Sequence, residues 1–312
     1  MGCPEGDTWS VVAMVLINST WINRLKSLIQ QVGASAFADN WSWWAPSLIE
    51  PRPPLHLTKT LGEWLGLSID WGKTWAWSSK AGGARVMQQA VQEVFPQAQV
   101  QVQINACDLG CPTTYHGVAK LGKLQERFEG AKSKLNRIQQ AHWSLDTKIH
   151  MVCSSVLPGA FYGCELVAIG QQHLDTLRVS VAHALLGERS HSMNSAIFLN
   201  CASIQHLDPH MYVLWRAVKA AQQFLQRCDA SLRDVFLRML ATPSKVAGQS
   251  HGPASALREY FLRLGIISAP NGDIQVTAYR TCNLVYNHTQ KRTYAVLAGG
   301  LARSAFANAH TP

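Results

Sequence analysis

The run from Val118 to His142 constrains this chain more than any other stretch. Leu121, Leu124, Phe128, Ala131, Leu135 and Ile138 recur in alternating steps of three and four. That spacing lines one face of an α-helix, whereas a strand would alternate by two. Lys120, Lys123, Arg127, Lys134 and Arg137 each precede a member of the stripe, which places a basic face about 100° round from the apolar one. Such a helix needs a core to lie on, and 312 residues, 47% of them hydrophobic, supply one. The same composition is unlike that of a disordered chain.

Charge narrows the class of partner. The net charge is +9, with 28 Lys and Arg against 19 Asp and Glu, which favours nucleic acid or another polyanion. A basic helix face suits phosphates because they ask for positive charge and little else. Eight cysteines occur without a C-x-x-C pair, as expected of reduced thiols in an intracellular, nuclear or cytoplasmic protein. Cys201, His206 and His210 sketch a zinc site, but no second cysteine stands at finger spacing, so they read as core and surface residues. Val11 to Ile17 is apolar but too short to cross a bilayer, and no basic segment precedes it as in a signal peptide. Met1-Gly2-Cys3 begins a myristoylation pattern that Gly6 breaks, since Ser or Thr is wanted there.

In chain order, residues 2–7 form a Gly/Pro loop. Asp7 or Thr8 can cap a helix from Trp9 to Gln30, with Val12, Val15, Leu16, Ser19, Ile22 and Leu25 as its buried stripe. Val32 to Phe37 reads as a strand, Asp39-Asn40 as a turn, and Trp41 to Trp44 as the returning strand. Four prolines make 45–54 a loop. Leu55 to Leu65 is a helix ended by Gly66, with His56, Lys59 and Glu63 facing water. Gly66 to Trp77 follows as strand, turn and strand, with Trp71, Trp75 and Trp77 on one face. Ala84 to Phe95 is helical, and Ala98 to Asn105 alternates as a half-buried strand. Helices are also predicted over Ser144–Pro158, Gln171–Leu186, Asp208–Cys228, Asp229–Ala241 and Ala254–Leu264. Asn271-Gly272 marks a hairpin. Pro243 to Pro253 reads as a linker, and the tail after Ala295 as frayed.

Four short stretches, in this order, resemble the palm motifs of a reverse transcriptase of the non-LTR, LINE-type retrotransposons. Gly2-Cys3-Pro4-Glu5-Gly6, with Ser10, resembles the G-x-P-Q-G-x-x-x-S loop of motif B. Phe37-Ala38-Asp39-Asn40 resembles the Y/F-A-D-D box of motif C. Leu65-Gly66-Leu67-Ser68-Ile69-Asp70-Trp71-Gly72-Lys73-Thr74 resembles motif D, and Leu109-Gly110 the L-G of motif E. Tyr162-Gly163-Cys164-Glu165 is similar to a segment of the thumb region.

The resemblance implies an α+β chain, a partial polymerase palm of a small antiparallel sheet with packed helices followed by a mainly helical thumb. The expected boundaries are 1–117 for the palm, 118–242 for the thumb or connection, and 243–312 for linker, helix, hairpin and tail. It implies an RNA-directed DNA polymerase, hence a nucleotidyltransferase, with an RNA template, a DNA primer or an RNA–DNA duplex as partner. Asp39 would hold Mg²⁺, with Asn40 beside it where the family has a second aspartate. Lys73 would face the triphosphate. Gly2, Pro4, Glu5, Gly6 and Ser10 would form the template loop, with glycine letting backbone approach the nucleic acid. Leu109 and Gly110 would be the primer grip. Lys120, Lys123, Arg127, Lys134 and Arg137 would follow the duplex backbone. The stretches begin at motif B, without the motif A aspartate or the fingers. The expectation is therefore a fragment inactive alone, because two-metal transfer needs carboxylates from two strands. The alternatives are a non-catalytic nucleic-acid-binding module and a helical interaction protein.

Overall fold

The computed structural model describes residues 8–37, 39–45, 50–78, 82–98, 100–102, 105–108, 111–114, 122–187, 194–201, 204–242, 252–264, 266–268, 271–277 and 280–283. Helices dominate and the sheets are small, which agrees with the α+β class. The chain divides into Met1–Leu109 and Gly110–Pro312.

In the first unit, helix α1 (Thr8–Leu28) precedes a hairpin of β1 (Gly33–Phe37) and β2 (Asn40–Trp44). Antiparallel pairing sets Ala34 opposite Trp43 and Ala36 opposite Trp41. Small residues facing large ones leave the two indoles room to pack on α1. Trp21 is fully buried and stacks on Trp41, ring centroids 5.0 Å apart. Its indole N–H donates to Thr58 Oγ1 at 3.1 Å, and that of Trp41 to Asn18 Oδ1 at 2.7 Å. On the other face Gly33 lies opposite Trp44, and a Cβ there would come within 2.1 Å of the Trp44 ring.

The buried face of α1 differs from the predicted stripe. Trp21 and Leu25 are buried, while Val12, Val15 and Leu16 are exposed. The first half of α1 is aliphatic on several sides, so spacing alone does not choose a face. The packing of Trp21 on Trp41 chooses it.

Helix α2 (Arg52–Leu65) begins inside the stretch read as loop. Pro53 and Pro54 sit in its first turn, where a missing N–H breaks no helical bond. It ends at Gly66, φ 66°, with Leu67 N–H returning to Gly62 O at 2.8 Å. Lys59 is half-buried rather than facing water: its ammonium donates to Val94 O at 3.1 Å. Helix α3 (Gly83–Val94) packs beside α2, and Arg52 bridges to Glu93 at 2.6 Å. The expected strand, turn and strand over 66–77 reduces to one strand, β3 (Trp75–Ala76), paired in parallel with β4 (Gln101–Val102). Asp70 and Thr74 hold the preceding segment as a turn, through Gly72 N–H to Asp70 Oδ1 at 3.0 Å and Thr74 Oγ1 to Asp70 O at 2.8 Å. Trp71 therefore lies in a turn, against Phe95, and does not share a strand face with Trp75 and Trp77. Strands β5 (Asn105–Asp108) and β6 (Cys111–Thr114) stand on either side of residues 109–110.

The second unit is built on α4 (Gly122–Gln140). Leu124, Phe128, Ala131, Leu135 and Ile138 are all buried; Leu121 lies outside the described residues. The next helix runs as α5 (Leu145–Met151), a π turn (Val152–Val156) and α6 (Leu157–Ala160). It does not stop at Pro158-Gly159 as predicted. The widened turn before Pro158 accommodates a ring that an α-helix interior would reject. Helix α7 (Gln171–Leu186) lies across α4 and against α9 (Pro209–Arg227); α10 (Ala230–Ala241) and α11 (Pro253–Arg263) close the bundle. Asp208 and Asp229 cap α9 and α10, accepting from His210 N–H at 2.9 Å and Leu232 N–H at 2.8 Å. Helix α8 (Ser195–Cys201) and a 3₁₀ turn (Gln205–Leu207) were not foreseen. Gly272, φ 86°, turns β7 (Ile267–Ser268) into β8 (Asp273–Thr277), which also pairs with an unforeseen β9 (Arg280–Asn283).

Leu257 and Phe261 of α11 share one core with Phe128 and Leu135 of α4. The segment Pro253–Arg263 thus packs into the same core as the helices before it. The expected boundaries at 117/118 and 242/243 fall at or beside residues 115–121 and 243–251, outside the described residues, as does the tail after Ala295.

Candidate nucleic-acid interface

Asp39 stands at the tip of the β1–β2 hairpin. Phe37 pairs with Asn40, so Asn40 opens β2 instead of completing the turn. Phe37, Asp39 and Asn40 are exposed at this end of the hairpin. Asn40 Nδ2 donates to Asp39 Oδ1 at 3.2 Å, and both side chains are exposed. Among the described residues no three Asp, Glu, His or Cys side chains converge as a metal site. A lone carboxylate with one oxygen engaged by an amide is a poor fit to Mg²⁺, which demands near-octahedral oxygen ligands.

Lys73 lies in the turn before β3, and its ammonium pairs with Asp70 at 3.1 Å rather than reaching the hairpin tip. The ammonium beside it holds the Asp70 carboxyl below its ordinary range. Both groups are solvent-exposed, so the pair adds little stability. Ser10 falls in α1. Gly2, Pro4, Glu5, Gly6, Leu109, Gly110 and Lys120 lie outside the described residues.

On α4 the predicted basic face is present. Lys123, Lys134 and Arg137 are exposed, on the side turned from the buried stripe. Lys123 to Arg137 spans about 21 Å at 1.5 Å per residue. Gly130 lies between them, and a Cβ there would meet nothing within 4 Å. Arg127 is held: its Nη1 donates to Tyr162 O at 2.8 Å, and its guanidinium lies 5.2 Å from the centre of the Tyr162 ring. Lys123 has Glu126 at 4.0 Å, an exposed and weak contact.

Two polar clusters escaped the sequence reading. Asp208 is 1% exposed, and the Arg178 Nε and Nη2 donate to its Oδ1 at 3.2 and 3.1 Å. Arg178 also approaches Asp175, whose Oδ1 lies 2.8 Å from His210 Nε2. Burial, with Arg178 adding to it, pushes the His210 pKa down against the pull of Asp208 and Asp175. His210 is thus part of a four-residue charged cluster, as an imidazole against a carboxylate. In the second cluster Arg216 donates to Glu165 at 2.6 Å. Beside it the Tyr260 hydroxyl accepts from Ile169 N–H at 3.0 Å and donates to Val167 O at 3.2 Å. Burial raises the Cys164 and Tyr260 pKa values. The helix start at Asp208 was legible; its partner Arg178, thirty residues earlier in the chain, was not.

No family model, curated protein or solved structure matches this chain. No described helix is long and apolar enough to cross a membrane.

Proposed function

We propose that the chain is a palm and thumb portion of a LINE-type RNA-directed DNA polymerase, and that these 312 residues grip nucleic-acid backbone without synthesising DNA. One observation carries the binding half: α4 buries its whole described apolar stripe and turns Lys123, Lys134 and Arg137 to solvent on a rigid mount. A cationic row on a fixed helix suits phosphates and is indifferent to sequence. The polymerase half draws on the order helix, acid-tipped hairpin, helix and strand in the first unit, which agrees with the motif resemblance. The substrate class is an RNA–DNA or DNA duplex, an RNA template with its DNA primer.

Catalysis by these residues alone is not expected. Asp39 is a single carboxylate and Asn40 adds no charge, so the clamp on attacking and leaving oxygens lacks its second ligand set. The test pairs binding with primer extension. Anisotropy with an RNA–DNA duplex should show affinity falling steeply with salt. Reversing Lys123, Arg127 and Lys134 to Glu should abolish it. Binding that survived the reversal would sink the thumb reading. Primer extension with Mg²⁺ or Mn²⁺ should give no product. Product that vanished in Asp39→Ala would show that other residues supply the second ligand set.

A further inference from the structure

The basic face of α4 does not consist of cations alone. Tyr162 lies on it, in the turn after α6, 45% exposed despite its ring. Arg127 reaches this residue twice, through a hydrogen bond to its carbonyl and through the guanidinium over its ring. Such a doubly held pair is a rigid, flat and charged unit. Gly163 follows at φ 81°, a left-handed conformation that turns the chain back into the core, where Cys164 is buried. Tyr162 is therefore left at the rim. Lys134 lies further along the same face, its ammonium 4.0 Å from where a Cβ of Gly159 would be. A duplex presents phosphates, with its base faces closed by stacking. An aromatic ring carrying a stacked arginine, placed in a row of cations, suits a base that is not paired.

We infer that the Arg127–Tyr162 pair is a stacking platform for an unpaired nucleobase, so that this face takes a single strand, or the single-stranded end of a duplex, in preference to a fully paired one. This rests on the nucleic-acid reading of α4 and gives it a ligand. Lys123, Lys134 and Arg137 hold the phosphates, and the platform holds one base.

The test uses the full chain and three labelled probes of roughly a dozen nucleotides: an oligothymidylate, an abasic strand with the same phosphates, and a blunt duplex. The wild type should bind oligothymidylate about tenfold more tightly than the abasic strand, a factor inside the range that one stacked base contributes. Tyr162→Phe keeps the ring and should keep the ratio. Tyr162→Ala should bring the ratio of thymidylate to abasic affinity close to one. Equal wild-type affinity for the thymidylate and abasic strands overturns the platform. So does a ratio that survives Tyr162→Ala. If Tyr162→Ala fails to fold, Tyr162→Leu, which fills the site without a π face, takes its place with the same expected ratio. Duplex binding without base dependence removes the platform and leaves the thumb. Base-dependent binding without duplex affinity does the reverse, and failure of all three probes removes both.

Discussion

The two units hold themselves together by different means. The first relies on a few aromatic side chains: Trp21 stacked on Trp41 beside Leu25 and Val32, and a second small cluster of Val91, Ala98 and Val100. The second has one continuous core in which α4, α6, α7, α9, α10 and α11 all take part. Aliphatics at Val11, Val15 and Leu16 stay exposed in the first unit, while the described stripe of α4, Leu124 to Ile138, is buried in the second. A broad core fixes the backbone of α4, so its basic side chains are presented at set positions. A core of few residues makes each one count, and it leaves the hairpin tip, with Asp39, on a lighter support. Rigid presentation of charge belongs to the second unit.

Core truncations should break this comparison most strongly. Phe161→Ala empties a site that is 1% exposed and should cost about 3–5 kcal/mol. Hydrogen exchange should then rise across α4, α6, α7 and α9. Trp21→Ala should cost a similar amount but appear as lost protection in α1, β1 and β2. Equal loss of protection everywhere in either variant would refute the picture of two separately supported cores.

The buried charges sharpen it next. Arg178→Met leaves Asp208 buried with no cation and should lower stability by about 3–5 kcal/mol, read in urea titrations. A near-neutral result would mean that the cluster hydrates easily. Tyr260→Phe orphans the Ile169 N–H and should cost about 1–3 kcal/mol.

The smallest effect is a pH dependence. The folded pKa of His210 lies below its ordinary value of 6.5. In the window between the two the unfolded chain binds more protons, so stability rises with pH there. It should fall as pH drops through about 6.5 toward the folded value, and His210→Gln should flatten that slope. Chemical denaturation at several pH values reads it directly, and a slope unchanged in the variant would assign the effect elsewhere.

What the sequence determined is what short-range spacing controls. The stripe of α4, the caps at Ser144, Asp208 and Asp229, the stop at Gly66 and the turn at Asn271-Gly272 each depend on a few neighbouring residues and the dihedral angles they favour. The hairpin around Asp39 was legible for the same reason. Tertiary structure decided the rest. Aliphatics surround the first half of α1, so its buried face awaited Trp41. The partner of β3 is more than twenty residues away, beyond any local rule. Arg178 finds Asp208 across thirty residues, and Arg127 finds Tyr162 across thirty-five. Local spacing sets a residue's conformation and face; which residues then meet depends on how the helices pack.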